Sequence, residues 1–161
     1  MRKRFFPAWL LTAAAGCTLH FLYDLWPVRL AGFIAPVNES VWEHLKLLYW
    51  PFLAAAFLMN RKSRNRRHSW NGYLLALVLM PLLLLGGHYT LSAGFGLEAT
   101  WMDISLYFLA LAIGFAVAFH LEKAHIRPWI TGVWILAVGI YGAALVLFTL
   151  APPYYPIFME F

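Results

Sequence analysis

Ionisable side chains stand inside the apolar stretches of this 161-residue sequence, and their types are those of a metal site. His20 and Asp24 are four residues apart, which places them on one face of a helix. His44, His88 and Asp103 stand in three further apolar stretches, each near the same side of the predicted helix bundle. Because imidazole and carboxylate groups bind zinc and other divalent first-row metals, these five residues are the candidate metal ligands.

A stripe of charged residues in the second apolar stretch supplies groups for acid–base chemistry. Glu39, Glu43, Lys46 and Trp50 follow an i, i+4, i+7, i+11 spacing, which is one face of a helix. A metal with three protein ligands keeps a position for water and activates it, and a spare carboxylate then acts as the general base. We therefore take Glu39, Glu43 and Lys46 as candidate catalytic residues, with Lys46 holding an anionic group.

The same residues also have structural interpretations. Ser40 and Glu43 match the S-x-x-E capping box that opens a helix, with Asn38 as an alternative cap. Lys46 would neutralise Glu43 or Asp24 in a buried ion pair. His88 and Asp103, the candidate ligands nearest the membrane surface, would simply be hydrated there. No pair of these residues has the H-E-x-x-H spacing that identifies a zinc site from sequence alone.

The elements that must position these side chains are membrane helices. Hydrophobic residues make up 63% of the chain and charged residues 12%, and the mean hydropathy is +0.70. A soluble domain has about 25% charged and about 45–50% apolar residues, so a soluble enzyme is excluded. A single cysteine, Cys17, excludes an internal disulfide and a cysteine-cluster zinc site.

Five stretches are long and apolar enough to cross a membrane, which takes about 20 residues. They are residues 5–26, 39–59, 71–89, 103–121 and 129–150. We predict an all-α polytopic membrane protein whose residues 1–161 form a single domain, a bundle of five transmembrane helices. The connection 28–37 is expected to lie in the interface or to re-enter the membrane as a short turn. Residues 14–17 loosely match a lipobox, but the apolar stretch continues past Cys17, which favours a first span over a cleaved and lipidated N-terminus.

The charged residues orient this bundle. Ten of the twelve basic residues fall on one side of five alternating spans, at positions 2–4, 61–67, 123 and 127. Because positive loops stay in the cytoplasm, we predict a multi-pass protein of the cytoplasmic membrane with its N-terminus inside and its C-terminus outside. Six of the seven acidic residues gather on the outer side, which the positive-inside rule does not explain. They are Asp24, Glu39, Glu43, Glu98, Asp103 and Glu160.

One segment resembles the hallmark of a known group of proteins. The run P-V-N-E-S-V-W-E-H-L-K at 36–46, followed by Pro51, is similar to that of a family of small bacterial and archaeal membrane proteins classed as a domain of unknown function. The family's first-span histidine matches His20, and its P-P-x-x-P-x-F segment matches residues 152–158. The resemblance covers nearly the whole chain and implies a five-helix membrane fold, but it supplies no activity.

Three functions remain open at this point. The first is a metal-dependent membrane hydrolase, with zinc as an example of its metal, acting at the outer leaflet on a lipid or lipid-linked substrate. The second is a proton- or ion-coupled transporter subunit, which with only five spans would work as a homo-oligomer. The third is a non-catalytic assembly or partner protein. Membrane lipids are the expected partners in all three, and nucleic acid is not, because no folded basic surface accompanies the basic loop.

Overall fold

The regular elements of the protein are helical. The structure is a computed structural model that describes residues 2–61, 66–97, 99–122, 124 and 126–159. Its α-helices are α1 (Arg2–His20), α2 (Leu22–Leu25), α3 (Arg29–Ile34), α4 (Val41–Asn60), α5 (Arg66–Tyr89), α6 (Thr100–Leu121) and α7 (Pro128–Leu150). A π-helical turn at Thr90–Gly94 follows α5, and a 3₁₀ turn at Pro156–Phe158 follows α7. Within the described ranges the all-α prediction is confirmed.

Four helical segments are long and apolar enough to cross a membrane. They are Arg4–Leu25, Ser69–Gly94, Thr100–Leu121 and Trp129–Leu150. The protein is therefore a multi-pass membrane protein by the length and composition of its helices. Helix α4 is 20 residues long but is not one of the four, and its first half carries Glu43, His44 and Lys46. The fifth span and the orientation of the bundle stay predictions.

Part of the charge pattern behind that orientation falls outside the described residues. This applies to Lys62, Arg64, Glu98, Lys123 and Glu160.

Helix α4 occupies the centre of the bundle and packs against α1, α5 and α7. Leu45, Leu48, Phe52 and Ala56 recur along it at helical spacing and are almost completely buried. The ring of Phe52 lies 4.8 Å from that of Phe115 on α6, so the apolar face of α4 meets the core of the bundle. This central place explains why a helix with polar groups is accommodated among four apolar ones.

The chain between α1 and α4 folds back on the bundle as a short hairpin. Its inner face buries Ala31, Gly32 and Ala35, with α3 packed against α4 and α7. Its outer face leaves the large side chains of Leu25 and Leu30 77% and 75% exposed. The hairpin thus has one face against protein and one apolar face turned outward, as expected for a segment in or near the membrane interface.

Candidate metal centre

Three segments of the chain bring two histidines and a carboxylate to one point. Helix α1 ends at His20, the connection before α4 carries Glu39, and the first turn of α4 carries His44. One ligand atom of each residue lies within 4.8 Å of the other two. His44 Nε2 and Glu39 Oε2 are 3.4 Å apart. Two ligands on tetrahedral bonds of about 2.1 Å to one zinc ion also lie about 3.4 Å apart, so this spacing suits a shared metal.

The hydrogen bond of His44 to the backbone determines which ring nitrogen is available. His44 Nδ1 lies 2.8 Å from the carbonyl oxygen of Ser40, and a carbonyl only accepts, so Nδ1 is the donor. Nε2 therefore faces the carboxylate of Glu39. A metal ion placed between this nitrogen and the carboxylate would bond to both. Histidines that bind metals are commonly held in this way, with the second nitrogen donating to a backbone carbonyl.

His20 also has a buried polar atom without a partner. Its Nδ1 is buried and has no hydrogen-bond partner among the described residues. Its ring packs 5.1 Å from the ring of His44 and 5.1 Å from that of Phe21. Since buried polar atoms in folded proteins nearly always have a partner, this nitrogen is available to an ion or an ordered water.

The cluster is open on one side. The side chain of Glu39 is 70% exposed and that of His44 is 29% exposed, so a metal and a further ligand have access. After His20 in the chain, the apolar residues Phe21, Leu25 and Trp26 are exposed. The exposed face of the hairpin therefore begins directly after one of the three clustered residues.

Glu43 and Lys46 form a buried ion pair, with 3% and 0% of their side chains exposed and 2.5 Å between Oε2 and Nζ. Lys46 Nζ also donates to the carbonyl groups of Gly32 at 2.6 Å and Ala35 at 3.2 Å, so its three N–H groups have three acceptors. The side chains of Glu43 and Lys46, two of the candidate catalytic residues, thus make these bonds to groups inside the protein.

The start of α4 explains why Glu39 leaves the stripe that the sequence predicted. Ser40 is the N-cap, and its hydroxyl accepts from the backbone N–H of Glu43 at 3.4 Å. The serine half of the capping box is therefore formed, whereas the Glu43 carboxylate accepts from the N–H of Val37 at 2.9 Å. The N–H of Ser40 donates instead to Asn38 Oδ1 at 3.1 Å. Glu39 lies before the helix and is free of its register.

The chain matches a described family over nearly its whole length. Residues 6–161 match a family of unknown function (DUF6512). The chain belongs to the DUF6512 family. Comparison with curated proteins finds no match, and comparison with solved structures finds none either. Membership agrees with the resemblance noted from the sequence to a domain of unknown function, while the hallmark motif and the taxonomic range stay predictions.

The remaining ligand candidates of this DUF6512 chain lie elsewhere. His88 Nδ1 and Asp103 Oδ1 are 2.7 Å apart and link the C-terminal end of α5 to the start of α6. Asp24 is exposed on α2, and within the described part of the chain no ion pair includes it. The structure thus brings His20, His44 and Glu39 together, and it does not bring Asp24, His88 or Asp103 to them.

Sequence reasoning missed one polar partner in this DUF6512 chain. Thr149, near the end of α7, has its hydroxyl 2.8 Å from Glu43 Oε1 and 2.8 Å from the carbonyl of Leu145. A single threonine in an apolar helix gives no spacing signal that would connect it with a glutamate 106 residues earlier. A small cavity beside Glu43 and Thr149 has room for about one water molecule.

Proposed function

We propose that this chain is a five-span protein of the cytoplasmic membrane that binds a divalent metal through His20, Glu39 and His44. With that metal, zinc for example, it hydrolyses a lipid or lipid-linked substrate at the outer leaflet. The observation that carries the proposal is the convergence of three ligand atoms, from three separate segments, within 4.8 Å of one another.

The donor set favours hydrolysis. Two histidines and one glutamate are the ligands of several zinc hydrolases, in which the fourth position holds water. Such a metal makes its bound water a nucleophile at neutral pH. Glu39, which the sequence indicated as a general base, is in this proposal a ligand. Glu43 and Lys46 are satisfied by interior partners and so support the site indirectly.

The proposed fifth span is α4, and its buried charges support this placement. A helix of 20 residues is about 30 Å long, which matches the hydrocarbon core of a bilayer. Charged groups at that depth face the bundle interior and are paired, as Glu43 and Lys46 are. With five spans, the basic residues collect on one side, which favours a cytoplasmic N-terminus and a site at the outer surface.

The surroundings of the cluster favour an amphiphilic substrate. Exposed apolar residues, among them Phe21, Leu25 and Leu30, lie on the segment that connects His20 to Glu39. A lipid lying in the outer leaflet would place its tails along this apolar face and its headgroup at the metal. A water-soluble substrate would gain nothing from that surface.

Hydrolysis is tested with purified protein in vesicles of mixed phospholipids. After removal of metal with a chelator, zinc, manganese or iron is added back, and products are identified by mass spectrometry. We expect wild-type protein to cleave a lipid with one of these metals and His44→Ala to be slower by about a hundredfold or more. His120 is an exposed histidine in the last turn of α6, so His120→Ala is the matched control and should keep full activity. Wild-type protein that holds metal and cleaves no lipid would overturn the proposal.

A proton-coupled transporter subunit is the second candidate, and the buried pair Glu43–Lys46 with Thr149 favours it. Ionisable groups inside a membrane bundle recur in proton relays. Proteoliposomes that show proton-linked flux, lost in Glu43→Gln and kept in His44→Ala, would establish this function in place of hydrolysis. Lipid cleavage without such flux would exclude it.

A further inference from the structure

Side chains of α4 hold the backbone of the hairpin that precedes it. Four backbone groups between residues 32 and 37 bond to them, namely the carbonyl groups of Gly32, Phe33 and Ala35 and the N–H of Val37. Lys46 provides two of these bonds, Trp50 provides one at 3.0 Å, and Glu43 accepts the fourth. The polar stripe that the sequence marks on α4 thus faces the hairpin.

These bonds satisfy backbone groups of the hairpin that have no partner within the hairpin itself. The last carbonyl groups of a helix have no partner inside it, and α3 is only six residues long. Near or within a membrane such groups must be satisfied by the protein. An ammonium group suits the negative end of the helix dipole, and Lys46 supplies it at the end of α3.

The same bonds fix the position of Glu39. The backbone on one side of Glu39 is held at Val37, whose N–H donates to Glu43. The backbone on the other side is held at Ser40, which caps α4 and whose carbonyl orients His44. Glu39 therefore lies in a short segment whose backbone is held against α4 on both sides, although its own side chain is exposed.

We propose that Glu43, Lys46 and Trp50 are positioning residues for the metal site. They hold residues 32–39 against α4 so that the Glu39 carboxylate stays within coordinating distance of His44. The inference rests on the proposed metal site and deepens it. Residues that orient metal ligands typically change metal affinity by about 10- to 100-fold, and we expect a loss of that size when they are removed.

Two single substitutions on α4 form a matched pair for the first experiment. Trp50→Phe removes the bond to the Phe33 carbonyl in the hairpin, and Tyr49→Phe removes the bond of Tyr49 to the Val138 carbonyl in α7. Both delete one side-chain donor to a backbone carbonyl from the same helix. We expect Trp50→Phe to weaken zinc binding about tenfold in competition with a chromophoric chelator, and Tyr49→Phe to leave it unchanged. Equal affinities in the two variants would overturn the inference.

The ion pair is tested by removing both charges at once. Replacing a buried pair by apolar residues of similar size is often neutral for stability, so Glu43→Met/Lys46→Met should fold. We expect its cobalt-loaded form to have the absorption spectrum of cobalt-loaded Glu39→Ala. In Glu39→Ala the carboxylate is absent, and in the double variant the Glu39 carboxylate no longer reaches the metal. A wild-type cobalt spectrum in the folded double variant would contradict the positioning role, since a merely structural pair would leave the ligands in place.

Hydrogen exchange separates this inference from the proposed function. Without added metal, backbone amides of residues 32–39 should exchange about fivefold faster in Trp50→Phe than in Tyr49→Phe. If wild-type protein binds no metal, the proposed function fails, and this exchange difference alone decides whether α4 holds the hairpin. If wild-type protein binds metal and residues 32–39 exchange alike in both variants, the inference fails and the metal site stands.

Discussion

At the scale of single residues, the charge of Lys46 is tightly constrained by its surroundings. Its ammonium group is completely buried and has three acceptors, one of them the carboxylate of Glu43. Burying two charges is costly, and it is tolerated only when the two neutralise each other and their remaining bonds are satisfied. The pair therefore stabilises the region around the proposed metal ligands only as long as both members are present.

Lys46→Met should destabilise the protein by about 3–5 kcal/mol, because it leaves the carboxylate of Glu43 buried without its partner. The double variant Glu43→Met/Lys46→Met should recover the part of this loss that comes from the unpaired carboxylate. Denaturant unfolding of the two variants in the same detergent measures the difference. A double variant that is no more stable than the single one would show that the pair does not act as a unit.

Three of the eight residues that the sequence marked form the cluster, and Glu39 shows why the others could not be sorted in advance. The spacing of Glu39, Glu43 and Lys46 predicts one helical face, but α4 begins at Val41 and leaves Glu39 outside it. The start of a helix depends on which residue caps it, and the sequence offered both Asn38 and Ser40. That ambiguity of two residues decides whether Glu39 follows the stripe or turns to His44.

At the scale of elements, close packing of α5 on α6 forms the most extensive helix contact. A Cβ atom added at Gly72 would lie 2.6 Å from the carbonyl oxygen of Ala118, whereas one added at Gly86 on the same helix would meet nothing within 4 Å. Of the adjacent glycines Gly86 and Gly87, only Gly87 faces a neighbour, Leu106. Which glycine meets a partner depends on the rotation of the helix, which an almost uniformly apolar sequence does not encode.

Gly72→Ala should destabilise the protein by about 1–3 kcal/mol, because the new methyl group meets backbone and the two helices must separate. Gly86→Ala should stabilise it by about 0.5–1 kcal/mol, since alanine lowers the entropy cost of forming a helix and meets open space. Thermal unfolding of both variants in detergent compares them directly. Similar effects of the two substitutions would contradict the close approach of α5 and α6.

The ends of the apolar helices follow closely from hydropathy. The predicted span 129–150 corresponds to α7 (Pro128–Leu150), and the predicted span 103–121 corresponds to α6 (Thr100–Leu121). The apolar stretch itself is what the membrane requires, so its limits are visible in the sequence. The π-helical turn at Thr90–Gly94 was not predicted, because a turn with i→i+5 bonds has no spacing signal of its own.

At the scale of the whole molecule, the distribution of charge connects the fold to the function. Because charged residues are scarce, the chain has the composition of a membrane protein, and the positions of the basic residues favour the proposed orientation. With five spans, six of the seven acidic residues would lie on the other side, and two of them, Glu39 and Glu43, belong to the cluster and its support. In this account the acidic excess reflects a cation site and the groups that hold it.

The proposed orientation predicts which cysteines a membrane-impermeant maleimide reaches in intact cells. In a Cys17→Ser background, Tyr154→Cys on the exposed C-terminal segment should react, and Arg61→Cys at the end of α4 should react only after lysis. Both positions are exposed, so accessibility within the protein does not bias the comparison. The opposite pattern would reverse the orientation and place the metal ligands at the cytoplasmic surface.

The central claim is that His20, Glu39 and His44 bind a divalent metal, and metal analysis of purified wild-type protein tests it most directly. Inductively coupled plasma mass spectrometry should find about one zinc, manganese or iron ion per chain, because each chain has one proposed site with three ligands. The ion should be lost in His44→Ala and retained in His120→Ala. Wild-type protein that contains none of these metals in stoichiometric amount, even after incubation with them, would contradict the account.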